Sequence, residues 1–124
     1  TAMHDATEGG VFGGLYEMAQ HSNVGMRIYQ DDIILQRAVE KTCACFGIDP
    51  YVSISEGTLL ATARQKKARG VIDALKDEGI PASIVGEVVP KKEGLFVFIK
   101  GKKKRLEHPK VDPFWIKFEE YLKK

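Results

Sequence analysis

The first residues of the chain that could do chemistry form a polar segment followed by glycines. His4, Asp5 and Thr7 precede the pair Gly9 and Gly10. If a helix begins here, its first N–H groups and the positive end of its dipole can bind a phosphate or carboxylate, and glycine lets that anion approach the backbone. His4 and Asp5 could then orient a substrate or a metal ion. The alternative is an ordinary capped helix whose glycines allow close packing.

Glu56 is the second candidate, because it interrupts a region that otherwise resembles a strand. It lies in the sequence Ser55-Glu56-Gly57. If its side chain points into a cleft, burial would suit the carboxyl group to proton transfer. If it lies at an edge or a bulge beside Gly57, the carboxylate is simply solvated.

Two further patterns favour a structural interpretation. Cys43 and Cys45 on a helix point about 200° apart, so they cannot share a tetrahedral metal ion or form a normal disulfide, and we predict no metal site. The basic run at residues 100–105 could contact nucleic acid or an acidic surface. No aromatic residue interleaves with it, and a solvated edge hairpin protected by lysine accounts for it as well. We therefore predict no nucleic-acid partner.

Composition sets the limits of the class. The 124 residues are 44% apolar and include two cysteines, which is typical of one globular domain and not of a disulfide-rich or membrane-spanning chain. No secretory signal opens the sequence, and we expect a cytoplasmic protein. Residues 1–62 carry 3 basic and 8 acidic side chains, whereas residues 63–124 carry 16 and 9. The two halves could therefore present surfaces with different partners.

The candidate residues must be positioned by the elements around them. The spacing predicts a first helix from Asp5 or Thr7, with Asp5 as N-cap and Glu8 in a capping box. An apolar face follows at Phe12, Leu15, Tyr16 and Ala19. Glycines in its first turns weaken a helix, so we expect either another group close to the backbone or tight packing on a sheet.

The rest of the chain alternates between strand and helix signals. Strands are predicted at 24–29, 51–55, 58–63, 82–89, 95–99 and just after Gly101; helices are predicted from Asp31 or Asp32 to Gly47, over 65–78, and from Asp112 onward. We expect both faces of 95–99 to be covered and the aromatic stripe of the last helix to lie in the core. The order predicts an α+β fold with a mixed sheet of four or five strands.

Two segments together resemble a known family. Met3 to Val11, continued by Glu17-Met18-Ala19 and Gly25, resembles the start of the C-terminal domain in the aminoimidazole ribonucleotide (AIR) synthetase superfamily, and most of all in the hydrogenase expression/formation protein E group. Asp49-Pro50-Tyr51 and the segment Ser55 to Leu60 are similar to the second recurring stretch of that family. Residues 68–79 and 84–88 are similar to its following helix and strand.

The resemblance implies a three-layer α/β/α sandwich that closes over ATP and substrate. It implies an N-terminal domain that supplies most of the nucleotide site and forms a homodimer, with Mg²⁺ as the companion of ATP. Asp5, Thr7, Gly9 and Gly10 would lie at the phosphate or substrate end of the cleft. Glu56 would correspond to a base, and His4 and Asp5 join it as candidate catalytic residues.

A motif that begins at residue 3 leads us to expect that residues 1–124 are one domain, the C-terminal half of a two-domain enzyme that is inactive when cut off. The family's dehydratase acts on its own C-terminal cysteine, but this sequence ends Leu122-Lys123-Lys124. We therefore expect a different small molecule or protein as substrate, and a maturation-type protein as a partner. The alternative is a non-catalytic module that docks a partner through its basic half.

Overall fold

The structure, a computed structural model, describes residues 1–123 as a mixture of helices and strands. The strands are β1 (Ala2–Ala6), β2 (Gly25–Tyr29), β3 (Thr58–Thr62), β4 (Gly86–Val89), β5 (Leu95–Ile99) and β6 (Lys102–Arg105). The helices are α1 (Gly10–His21), α2 (Arg37–Phe46), α3 (Gln65–Asp77) and α4 (Pro113–Leu122). This order, with its mixed sheet of four strands, confirms the α+β class.

The larger sheet has the strand order β4-β2-β5-β6, in which only β2 and β5 are parallel. Met26 pairs with Leu95 and Ile28 with Val97. These four apolar side chains share one face because paired residues two positions apart point the same way, and all four are buried. The opposite face of β5 is only half-buried, so its two faces are covered unequally.

The predicted start of the first helix at Asp5 or Thr7 is wrong, because residues 2–6 form β1. This strand pairs antiparallel with β3 in a separate two-stranded ribbon, with Ala6 opposite Thr58. Its partner lies far along the chain, so the local capping-box spacing could not reveal it. Helix α1 begins instead at Gly10, after Gly9 in a left-handed conformation with φ 77°.

The core lies where α1 packs against both sheets. Its members are the buried apolar residues Ala6, Phe12, Leu15, Met18, Ala19, Met26, Ile28, Leu60, Leu95, Val97 and Leu106. Gly14 brings α1 close to the ribbon, since a Cβ there would lie 2.7 Å from Leu60 Cδ1. Tight packing on strands therefore accounts for one of the early glycines.

Other elements are confirmed with changed bounds. Helix α2 ends at Gly47, as predicted, and this glycine has a left-handed backbone. The helix begins after Gln36, later than predicted, because Asp31 and Asp32 lie in a short 3₁₀ turn. The predicted strand at 51–55 is wrong: these residues form a turn and loop. Of the strand predicted over 82–89, only Gly86–Val89 is paired, with β2.

Helix α4 begins as its sequence indicates, but it does not enter the core. The Asp112 carboxylate accepts a hydrogen bond from the Phe114 N–H at 2.9 Å, and Pro113 occupies the first turn. Trp115 and Phe118 are 41% and 48% exposed, and no residue of α4 is buried. The prediction that this aromatic stripe lies in the core is therefore wrong for this chain.

Candidate functional site

The loop before α1 and the loop before β3 meet at one place. The Thr7 carbonyl accepts hydrogen bonds from the N–H groups of Gly10 and Ser55, both at 3.1 Å. The Phe12 N–H donates to the Tyr51 carbonyl at 3.0 Å. The segment that carries Thr7, Gly9 and Gly10 is thus joined to the segment that carries Glu56, as a shared site requires.

Gly10 accounts for the close approach of these loops. Its φ is +61°, and a Cβ there would lie 2.6 Å from the Ser53 carbonyl oxygen and 2.7 Å from that of Tyr51. An alanine would be strained by both the left-handed backbone and the crowding. The sequence left open whether a close backbone neighbour or a sheet explains the glycines, and the structure contains both.

Gly9 is tied to α4 through a buried carboxylate. Its N–H donates to Asp112 Oδ2 at 2.9 Å, while the Asp112 side chain also caps α4. Asp112 is only 6% exposed. The N–H groups of Gly9, Gly10 and Phe12 therefore already have partners, and an anion could bind these three groups only by replacing one of those partners.

His4 and Asp5 point to opposite sides of the ribbon, since successive residues of a strand alternate. His4 faces α1, where its Nε2 lies 2.7 Å from Glu17 Oε2. Asp5 is exposed on the outer face, opposite Leu59 of β3. The two predicted catalytic residues therefore lie on opposite faces of the ribbon.

Glu17 is the residue of this region that the sequence reasoning missed. Its carboxylate links β1 to the loop before α4, because His108 Nε2 lies 3.3 Å from Glu17 Oε1. The pKa of Glu17 lies below its usual value, mainly because the carboxylate is hydrogen-bonded to His4. Burial acts in the opposite direction and raises this pKa. The pattern of Glu17 within the family-like segment Glu17-Met18-Ala19 was the available signal.

Glu56 lies in the loop just before β3, and its side chain is exposed. The loop is held by the hydroxyl groups of Ser55 and Thr58, which are 2.7 Å apart, and by Gly57 at φ +75°. Of the two alternatives for Glu56, the solvated position is the one observed in this chain. A second surface placed over the loop would be needed to enclose the carboxylate.

The remaining candidates lie apart from this region. Cys43 and Cys45 are free thiols on α2, and burial raises the pKa of the Cys43 thiol, with a smaller contribution from Asp49. Lys102–Arg105 forms the exposed edge strand β6. Within residues 1–123, no group of three or more histidine, cysteine or acidic side chains could hold a metal ion.

These residues do not by themselves fit a complete site for ATP and Mg²⁺. The N–H groups of Gly9, Gly10 and Phe12 at the start of α1 are already bonded, and the described residues offer no cluster of metal ligands. What they offer is a surface formed by two joined loops, with exposed Glu56 on one loop and exposed Asp5 on the neighbouring strand β1. In the described part of the chain, no helix has the length and apolarity needed to span a bilayer.

The chain matches a family model over most of its length. Residues 1–98 match the family described as AIR synthase related protein, C-terminal domain. The match confirms the resemblance drawn from the two motifs. It includes the ribbon, α1 and the loop that carries Glu56, and it ends within β5.

Two curated relatives show similar sequences. A hydrogenase expression/formation protein of Methanocaldococcus jannaschii is 31% identical over 98 residues, which are 77% of this chain and 29% of the relative. The carbamoyl dehydratase HypE of Escherichia coli is 30% identical over 114 residues, which are 90% of this chain and 34% of the relative. The chain spans about a third of the length of these relatives.

Solved structures share the fold. HypE in a HypE-HypF complex superposes with a TM-score of 0.76 at 29% identity, over 87% of this chain and 36% of the other. HypE in complex with ATP gives a TM-score of 0.79 over 90% of this chain and 36% of the other. At 21% identity this second likeness concerns the fold alone.

Proposed function

Because the chain belongs to the family of AIR synthase related proteins, as their C-terminal domain, we propose that it forms one wall of the active site of an ATP-dependent enzyme. The relative in Escherichia coli is named carbamoyl dehydratase HypE, and a structure of the same fold was determined with ATP. We propose that an N-terminal domain supplies most of the nucleotide site and the Mg²⁺ ligands, and that the protein is a homodimer in the cytoplasm.

The observation that carries this proposal is the joined pair of loops. The hydrogen bond from the Ser55 N–H to the Thr7 carbonyl, 3.1 Å long, holds Glu56 beside the segment of Thr7, Gly9 and Gly10. Asp5 stands on the exposed outer face of the neighbouring strand. A wall of this kind presents two carboxylates and a helix start to whatever domain covers it.

Glu56 has the role of proton acceptor in this proposal. An exposed carboxylate is a weak base, and covering it with a second domain would exclude water and strengthen it. Asp5 and Thr7 would position the substrate at the same edge. His4 acts at a distance, by orienting Glu17 and fixing β1 on α1, and not on the reacting atoms.

The test is Glu56→Gln in a protein that joins this chain to an N-terminal ATP-binding domain. We expect ATP-dependent turnover to fall by about 10²–10⁴-fold, the usual contribution of a general base. The free energy of unfolding should stay the same. Glu78→Gln, at the exposed end of α3, is the matched control and should retain full activity. Equal turnover in both variants, or no nucleotide binding by the joined protein, would contradict the proposal.

A second candidate function is favoured by β6. Its four residues are basic and exposed at the edge of the larger sheet, and they would suit docking to an acidic partner surface. One related structure is a HypE-HypF complex, so we propose a maturation-type protein of that kind as the partner. Replacing Lys102, Lys103 and Lys104 with glutamine should weaken such a complex and leave turnover unchanged.

A further inference from the structure

A cleft of about 460 Å³ lies between the C-terminal half of α1 and the segment after β6. Its lining includes an apolar part, which is called the floor here and consists of Tyr16, Val24, Leu95 and Leu106. Leu95 and Leu106 are 8% and 4% exposed, and the Leu106 N–H donates to the Leu95 carbonyl at 3.1 Å. The floor is therefore part of the packed core and is preformed. Its volume is in the range of small-molecule sites.

The rim of this cleft is cationic. Lys91, Arg105 and Lys110 line it with a single carboxylate, that of Glu107. Within residues 1–123, neither Arg105 nor Lys110 has an ion-pair partner. Lys91 donates to the neutral side-chain oxygen of Asn23. These three charges are thus available to a ligand.

The surrounding segment strengthens this positive field. Residues 91–110 carry eight basic and two acidic side chains. One of the two acids, Glu93, is paired with Arg27. Positive side chains around a concave site attract anions and raise their local concentration. Arg105 and Lys110 also lie beyond the family match, which ends at residue 98.

We propose that this cleft is a binding site for a small organic monophosphate that has a flat apolar body. The phosphate group would be held by Arg105, Lys110 and Lys91, because guanidinium and ammonium groups form strong hydrogen bonds with phosphate oxygens. The apolar body would lie on Tyr16 and the buried leucines of the floor. The site is separate from the wall formed by Thr7 and Glu56, and it does not depend on the function proposed above.

The test uses the 124-residue chain with phenyl phosphate as probe, followed by backbone amide shifts in NMR spectra. We expect saturable shifts at Val24, Leu95 and Leu106. Inorganic phosphate and phenol should each bind at least about tenfold more weakly, because each engages only one part of the cleft. Arg105→Gln and Lys110→Gln should each weaken binding by about tenfold, as expected for a lost hydrogen bond to a charged group.

Lys102→Gln and Lys104→Gln are the matched controls, since they remove the same charge from the same basic segment outside the cleft. Each should change the affinity by less than about twofold. Equal weakening by the controls would overturn the proposal in favour of unspecific charge attraction. Shifts at Thr7 and Ser55 without shifts in the cleft would overturn it too, and would place the anion on the proposed active-site wall instead.

Discussion

Helices α1 and α4 both carry an apolar stripe, yet only the stripe of α1 is buried. Phe12 on α1 is 5% exposed, whereas Phe118 on α4 is 48% exposed. Helices α2 and α3 also have no buried residue. An apolar periodicity therefore predicts a helix and the face that it could bury. The surface that covers this face must come from elsewhere in the fold.

The two helices differ because α1 has sheets on two sides and α4 is held mainly at its first turn. Gly14 lets α1 approach the ribbon, and Met18 and Ala19 join the core with the larger sheet. Helix α4 is anchored by Asp112, and beyond it Tyr121 meets Phe46 of α2 in an edge contact at 6.0 Å. An apolar groove of about 390 Å³ remains between α4 and α2.

The difference in burial between the two helices should produce the greatest change in the free energy of unfolding. Phe12→Ala should lower the free energy of unfolding by about 3–5 kcal/mol, because it leaves a cavity beside Tyr51, whose ring stacks on Phe12 at 5.5 Å. Phe118→Ala makes the same chemical change on α4 and should cost about 1 kcal/mol or less. Urea unfolding of both variants measures the contrast, and equal losses would show that α4 belongs to the cooperative core.

Gly10→Ala should have the next largest effect, about 2–4 kcal/mol, from the left-handed backbone and the crowding at the Tyr51 and Ser53 carbonyls. Gly47→Ala is the matched control, since Gly47 has a similar φ of +64° but nothing within 4 Å of its Cβ position. It should cost only about 1–2 kcal/mol. If thermal unfolding shows equal losses of stability in both variants, the close approach of the two loops adds nothing to the cost of the substitution at Gly10.

A smaller effect concerns the contact of α1 with β1 through Glu17. The folded-state pKa of Glu17 is below its usual value of 4.5, so the ionised group contributes stability above that value. This contribution is lost as pH falls through the folded-state pKa. Melting temperatures of the natural chain and of Glu17→Gln should therefore converge as the pH falls through the folded-state pKa. A constant difference between them down to pH 2 would argue against the ionised contact.

The least change in stability is expected on the exposed helix α3, in comparison with the buried helix α1. Gly70→Ala should stabilise the chain by about 0.5–1 kcal/mol, because alanine favours a helix and nothing lies within 4 Å of the new Cβ. Gly14→Ala on α1 should give no such gain, since its Cβ would lie 2.7 Å from Leu60 Cδ1. Chemical unfolding compares the pair, and a gain at Gly14 would mean that the ribbon can move away from α1.

Much of the site could be predicted from the sequence, but its hydrogen-bond partners could not. Thr7, Gly9, Gly10 and Glu56 were candidates from residue type and motif, and their two loops do meet in the structure. Glu17 was missed because a single acid on a helix gives no signal apart from the family-like segment Glu17-Met18-Ala19. The carboxylate of Asp112 was predicted to cap α4, whereas its second bond, to the Gly9 N–H, joins residues that no spacing rule relates.

Elements with short-range signals follow from the amino-acid sequence alone. Pro113 after Asp112 starts α4, Gly47 ends α2, and the continuous apolar run of β5 forms a strand, because each depends on a few neighbouring residues. By contrast, long-range packing determines that residues 2–6 form a strand and that the stripe of α4 stays exposed. Residues 2–6 pair with β3, and the energy of this pairing exceeds the weak local preference for a helix start. The stripe of α4 stays exposed because, among the described residues, no sheet covers it as the two sheets cover α1.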